Sequence, residues 1–269
     1  MGAVGAAGFA RAQTPSPLQE WQYSSGIVLY NLFMPDIPVW RVAVGAAAVA
    51  RPLYEGARDY RVFGGPVVDV RYKDIAFASV GEGLGVNVVS GPNYRAGIAL
   101  SYDLGRLARH DLAHLKGLGD ISAAPVLKLF SSYVVSKGFP LVLRADLRQF
   151  VGGADGLAAD VGAYLPLPGS SKTFVMFAGP SFTVANRLHH QTVYGVSTAQ
   201  AVASGYPAYQ AHGGPDSAGL GFTATWILSE RWLINADFAF DELLGSGKDS
   251  PITQSRAQKV AIVSTAYQW

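Results

Sequence analysis

Three things are scarce in this sequence, and each scarcity excludes something. There is no cysteine. That removes disulfide scaffolds, thiolate metal sites and cysteine nucleophiles together. Charged residues make up only 15% of the chain, against 49% hydrophobic. A disordered chain needs the opposite balance, so disorder is excluded for the bulk of it. Lysine and arginine number 21 against 19 acidic residues, a net charge of +2. No global field argues for nucleic acid, and no nucleic-acid partner is expected.

Long hydrophobic runs are also missing. A bilayer-spanning helix needs about 20 mostly apolar residues. The best uncharged apolar run is Val42–Ala50, and Arg51 and Pro52 end it. Yet the mean hydropathy is +0.20. The apolar content is spread out, not absent. Lipid allows one other spanning structure, the closed β-barrel, because every backbone polar group must be paired. It requires segments of about 9–11 residues with alternating faces.

That alternation is present. In Phe139–Phe150, the odd positions carry Phe139, Leu141, Leu143, Ala145 and Leu147, while Arg144, Asp146 and Arg148 are even. A strand points those sets to opposite faces; a helix would smear the charges around its cylinder. Arg61–Lys73, Tyr94–Leu104, Leu157–Leu167 and Trp232–Phe240 repeat the pattern. Weaker strands are Trp40–Ala50, Ile75–Ser79, Leu84–Val89, Asp120–Tyr133, Thr173–Ala185 and Gly219–Leu228, and the last is Val260–Trp269. The expectation is an all-β fold: a closed antiparallel transmembrane barrel of about 12 strands, an even number. A soluble sandwich or soluble barrel also alternates. It is disfavoured because charge is too scarce for a wetted surface, which ordinarily carries about 25–35%, and because of where the aromatics fall.

Connections give the orientation. Tyr72–Asp74, Ser90–Asn93, Val135–Gly138, Pro168–Ser171 and Ser229–Arg231 read as tight turns rich in turn-forming residues. Arg51–Asp59, Gly105–Gly119, Asn186–Ala218 and Asp241–Gln258 are longer; Val80–Gly83 and Gly152–Gly156 are short exceptions. Barrels of this kind have short periplasmic turns and longer extracellular loops. On the short-turn side the outward end residues are Trp40, Tyr72, Tyr94, Tyr133, Phe139, Trp232 and Trp269. They read as an aromatic girdle at a headgroup level. Tyr60 and Tyr102 fall near the opposite rim. At the start of the chain, Ala10-Arg11-Ala12 before Gln13 fits a small-x-small cleavage site without a charged n-region. Residues 1–12 therefore read as a degenerate signal peptide, 13–38 as a periplasmic leader and 39–269 as the barrel. Trp269, Tyr267, Thr265, Val263 and Ala261 share one parity and end in an aromatic, resembling the terminal-strand signal read by the outer-membrane assembly machinery.

The order of these segments resembles the MipA/OmpV family, MltA-interacting proteins of the outer membrane. The marks are Arg51-Pro52-Leu53-Tyr54-Glu55-Gly56, Asp59-Tyr60-Arg61 and Val68-Asp69-Val70-Arg71-Tyr72. Leu115-Lys116-Gly117-Leu118-Gly119-Asp120, Val193-Tyr194-Gly195-Val196 and Ala203 to Tyr209 follow, then Leu243-Leu244-Gly245 through Asp249-Ser250-Pro251-Ile252. The resemblance runs from about Trp40 to Trp269. Trp269 stands where the family usually ends in Phe. The resemblance implies the outer membrane of a Gram-negative bacterium, with lipid and lipopolysaccharide around the barrel. It also implies a scaffold linking a lytic transglycosylase to a peptidoglycan synthase.

Candidate chemistry is thin. His110, His114, His189, His190 and His212 all fall in predicted loops on the long-loop side. His110 and His114, with Asp111 between them, have i, i+4 spacing but no third ligand, a weak metal pattern. His189-His190 reads as a solvated loop pair. Lipid-cleaving barrels use a Ser–His pair, but no serine here follows a nucleophile-elbow pattern. No motif asks for a cofactor, and no enzyme is expected. The informative surface is the lumen. Arg41, Arg61, Asp69, Arg71, Arg95, Asp103, Lys128, Arg144, Asp146, Arg148, Asp160 and Asp237 share the inward parity. Opposite charges there either pair and plug the interior or line a passage. Arg144 and Arg148 flanking Asp146 favour the plug, so a narrow or closed pore is expected. Two functions remain: a scaffold for peptidoglycan enzymes, or a narrow solute channel or ligand- or antibiotic-sensing barrel built on the long loops.

Overall fold

The computed structural model describes residues 37–171 and 173–269. The signal-peptide and leader expectations for residues 1–36 lie outside the described residues. The described chain closes a single antiparallel barrel of 12 strands. They are β1 (Trp40–Pro52), β2 (Tyr60–Tyr72), β3 (Ala76–Ser79), β4 (Gly83–Gly91), β5 (Tyr94–Asp103) and β6 (Ala124–Val134). Then come β7 (Val142–Phe150), β8 (Gly156–Pro166), β9 (Phe174–Ala185), β10 (Gly214–Ile227), β11 (Trp232–Leu243) and β12 (Ala257–Gln268). Each strand pairs with its sequence neighbours, and β12 returns to β1 through Ala43↔Gln268 to Ala50↔Ala261. Closure satisfies the backbone that an open sheet would leave bare in lipid.

Strand residues alternate by face. β6 shows it most cleanly, switching strictly between buried and exposed from Ala124 to Val134. Its exposed residues are Pro125, Leu127, Leu129, Ser131 and Tyr133; Lys128, Phe130 and Ser132 are buried. The apolar face therefore looks outward, the reverse of a soluble protein.

Several boundaries move. β6 begins at Ala124 rather than Asp120, because Arg106 and Ile121 form an isolated bridge below the loop instead of extending the ladder. Phe139 lies in the β6–β7 turn, where its N–H donates to Ser136 Oγ at 2.9 Å. β10 starts five residues earlier than expected, at Gly214, with a bulge between Pro215 and Ser217. The long loops are not irregular. They hold α1 (Leu112–Leu115), α2 (Arg187–Tyr194), α3 (Thr198–Ser204) and α4 (Gly245–Asp249).

These helices build a cap over the extracellular mouth. Tyr54, Ala57, Leu115, Leu118, Val196 and Ile252 bury one another there, drawn from four different connections. A capping box made by Ser197 and Gln200 starts α3. Gly117 has φ +81°, and a Cβ on it would lie 2.5 Å from the Ala203 carbonyl, so the cap closes only around glycine.

Candidate functional site

The interior is built in two storeys. The lower one is a belt of buried charge. β2, β5, β6 and β7 aim Arg71, Arg95, Lys128 and Arg144 inward, each nearly fully buried. Asp69 and Asp146 accompany them from β2 and β7. Arg71 clamps Asp69 with Nε at 2.9 Å and Nη2 at 2.8 Å, a bidentate pair. Arg144 Nη2 lies 3.1 Å from Asp146.

The centre of the belt is a residue that parity did not single out. The connection between β3 and β4 is a tight turn, and it carries Glu82 into the lumen, 2% exposed. Glu82 pairs with Arg71 and lies 3.5 Å from Arg95 and 3.9 Å from Arg144. Gly83 makes the approach feasible: at φ +88°, a Cβ there would lie 2.3 Å from the Leu100 carbonyl. Burying several cations in one belt is costly unless anions sit among them; Asp69 and Asp146 each serve one arginine, and Glu82 is the anion that three of them share. The signal in the sequence was the Gly-Glu-Gly turn between two unusually short strands. The same cations stack on inward rings, with Arg71 over Phe77 at 5.2 Å and Arg95 over Phe130 at 5.8 Å.

Above the belt, Arg148 donates to Asp160 at 2.7 and 3.0 Å, and Thr183 donates to the same carboxylate at 2.8 Å. Asp237 accepts from Thr223 and Asn235. Asp103 is buried at the top of β5. Arg41 is half-buried, and Arg61 is exposed at the upper rim. On the opposite, periplasmic end, Trp40, Tyr72, Tyr94, Tyr133, Phe139, Trp232 and Trp269 lie around the rim. Trp40 stacks on Tyr72 at 4.9 Å, and Tyr267 bridges Trp232 and Trp269 at 5.3 and 4.7 Å.

Between belt and cap lies a chamber of about 180 Å3, lined by Arg51, Glu55, Arg106, Arg148, Asp216 and Asp241 among others. Its ceiling holds a chain of titratable groups. Tyr194 donates to Glu55 at 3.0 Å. Glu55 opens onto the chamber and is not packed against side chains on every face; its enclosure beneath the cap, then the negative charge of Asp216, push its carboxyl up to about 7. Burial likewise holds the Tyr194 phenol well above its ordinary value.

The histidine pair is a correction. His189 and His190 are buried in α2, not solvated in a loop. The reason is the cap: α2 packs one face down onto the barrel. His189 Nδ1 meets the Asp155 carbonyl at 3.0 Å, and its ring lies 4.5 Å from Phe150. Burial lowers its pKa. His190 Nε2 meets Asp216 at 3.0 Å. Burial alone would lower its pKa, but the bonds to Asp216 and to the His212 carbonyl raise it above the ordinary value. His114, in α1, pairs with Asp111 at 2.9 Å. His110 lies in the short 3-10 turn before it.

The family model of the MltA-interacting protein MipA matches residues 44–269, nearly the whole barrel. The chain belongs to the MipA family. It is an outer-membrane β-barrel. No curated protein matches it. Among solved structures, this MipA-family chain is similar to the NanC porin at 6% identity and TM-score 0.40, covering 85% of this chain and 98% of that one. It is similar to the CymD monoaromatic hydrocarbon channel at 10% identity and TM-score 0.41, covering 91% and 92%. OmpT of Vibrio cholerae gives 9% identity and TM-score 0.37, covering 86% and 98%.

Proposed function

We propose that this MipA-family barrel is a non-enzymatic, non-conducting scaffold of the Gram-negative outer membrane. It presents its periplasmic rim to peptidoglycan-remodelling enzymes, a lytic transglycosylase and a peptidoglycan synthase. The carrying observation is the Glu82 belt. A barrel whose middle is filled by paired, buried side chains is built to hold its shape rather than to pass solute. The family's name, MltA-interacting protein, supports the partner class.

The periplasmic turns suit a preformed docking surface. Ser229 Oγ accepts from the N–H groups of Arg231 and Trp232, and Ser170 Oγ from that of Met176. Tight turns of this kind spend little ordering entropy on binding. They carry Lys73, Asp74, Lys137, Glu230 and Arg231 as charged contacts. The final strand β12, with Trp269 just after it, is the segment offered to the barrel assembly machinery.

A photo-crosslinking side chain at Lys137 or Glu230 in intact cells tests this. A lytic transglycosylase or peptidoglycan synthase among the crosslinked products is the expected result; its absence from both positions sinks the scaffold. Planar-bilayer recording of the purified barrel checks the closed lumen, where large ohmic steps would count against it. The chamber supports a second reading, a ligand- or antibiotic-sensing barrel. Deleting residues 186–213 without any change in drug sensitivity would remove that reading.

A further inference from the structure

The wall of the barrel has a notch. β2 pairs with β1 along its whole length, from Trp40↔Tyr72 to Pro52↔Tyr60. On its other side it pairs with β3 only from Asp69 to Tyr72. One more bond follows, from Val80 N–H to the Val68 carbonyl at 3.0 Å, and then the β3–β4 hairpin turns into the lumen. Among the described residues, Tyr60–Val67 have no partner strand on that side.

The direction of the unpaired groups follows from that last bond. In an antiparallel ladder one residue sends both its N–H and its C=O to the same side, and its neighbour sends both to the other. Val68 faces the β3 side, so Val62, Gly64 and Pro66 do as well. Pro66 has no N–H to lose there, and proline inside a sheet belongs at such an edge. Val62 and Gly64 keep their N–H donors aimed into the notch.

The notch is open on both faces of the strand. A Cβ on Gly64, facing outward, or on Gly65, facing inward, would meet nothing within 4 Å. Bare backbone in hydrocarbon is tolerated only where it is covered or lines a polar cavity. The edge lies on the long-loop side, in the outer-leaflet half of the wall. On the inner face of the opening the guanidiniums of Arg51 and Arg61 both stack on Phe63, at 5.0 and 5.2 Å; Arg51 is buried with the charge of Asp103 beside it, and Arg61 is the exposed one. Arg61 is exposed and pairs with no carboxylate among the described residues. On the lower lip, Leu84 begins an apolar groove on the outer wall, about 710 Å3, that continues over Ile98, Leu100, Leu127 and Leu129.

We propose that this notch is a docking site for lipopolysaccharide, the phosphorylated acyl glycolipid of the outer leaflet. Its phosphate enters the notch and meets the inward-facing Arg61 and the N–H donors of Val62 and Gly64, as charge-assisted donors require, while its sugar hydroxyls and amide N–H groups donate to the carbonyls of the same edge. An acyl chain lies in the groove that starts at Leu84. The occupant covers the bare edge that lipid tails alone would leave unsatisfied. The site is independent of the scaffold reading.

The full-length barrel in dodecyl maltoside, analysed by native mass spectrometry, provides the test. The probes are lipopolysaccharide, its dephosphorylated form and phosphatidylglycerol. Lipopolysaccharide is expected to be retained most strongly. Arg61→Glu should cut that retention about tenfold, the scale of a lost hydrogen bond to a charged group. Arg109→Glu, in the cap on the same side, should leave it unchanged. Arg61 is exposed, so both variants should keep the folded mobility on unheated gels; Arg61→Gln carries the test if Arg61→Glu does not. Equal retention of the dephosphorylated form or of phosphatidylglycerol overturns the proposal. So does an Arg61 variant that folds and binds as before.

Discussion

Glu82 reaches Arg71 from a turn that stops inside the barrel wall. The two residues are 11 apart in sequence, and their ion pair is almost completely buried. A hairpin of ordinary length would have carried Glu82 beyond the rim into water. Shortening it delivers one carboxylate to several cations and leaves the upper half of β2 without a neighbour. The belt and the notch are thus two consequences of one short hairpin.

Neutralising that carboxylate should be expensive. Glu82→Gln leaves Arg71, Arg95 and Arg144 facing one another without their shared anion. Breaking a buried ion pair from one side costs about 3–5 kcal/mol. The expected readout is a lower temperature for loss of the folded gel mobility. Adding Arg95→Met to Glu82→Gln should recover part of the loss. An unshifted Glu82→Gln transition would mean the belt does not rest on this residue.

The cap should loosen as pH rises. Glu55 is held above its unfolded value, at about 7, so between the ordinary carboxylate range and 7 the folded state binds the extra proton. Its stabilising contribution is present at low pH and fades as pH rises through 7. His190 is also raised, so its contribution is likewise present below its unfolded pKa and lost above its folded one. His189 is lowered and works the other way, favouring the cap as pH rises. With two groups favouring the cap at low pH against one at high pH, limited proteolysis within residues 186–213 should be slower at pH 5.5 than at pH 8. Glu55→Gln should flatten the difference.

Closure of the barrel should be sensitive at Gly45. A Cβ there would sit 1.8 Å from the Thr265 carbonyl, across the β1–β12 seam. Gly45→Val forces the seam apart, and overpacking of this kind costs about 1–3 kcal/mol or more. The variant should be depleted from outer-membrane fractions, and what remains should lack the heat-modifiable gel shift. Gly138→Val, in an open turn where a Cβ meets nothing, is the matched control.

Removing the cap should not open a channel. Replacing residues 187–204 by a short flexible linker uncovers the chamber but leaves the Glu82 belt below it. Bilayer recordings of that variant should stay as quiet as those of the parent. Conductance appearing on cap removal alone would place the barrier in the cap instead.

Much of this architecture was legible because strand alternation is local. Whether Leu143 or Arg144 faces lipid depends on period-two geometry and on the scarcity of charge, both readable within a few residues. The family motifs fell in the same order, and the twelve spans differ from expectation mainly at their ends. What was not legible depends on pairs distant in sequence. His190 looked like a loop residue because its partner Asp216 lies 26 residues away, beyond a whole helical layer. Glu82 looked like an exposed turn because nothing near it reveals how deep the turn sits.

The sequence by itself therefore determined the face of each strand and the membrane it belongs in, since lipid rejects unpaired backbone and buried charge wherever they occur. Only the tertiary structure decided where the buried charge gathers in the interior. Depth in the barrel is set by the register of β3 and β4 against β2 and β5, and the cap by four loops burying Leu115, Val196 and Ile252 together. Those are long-range pairings whose energy exists only once the ring is shut.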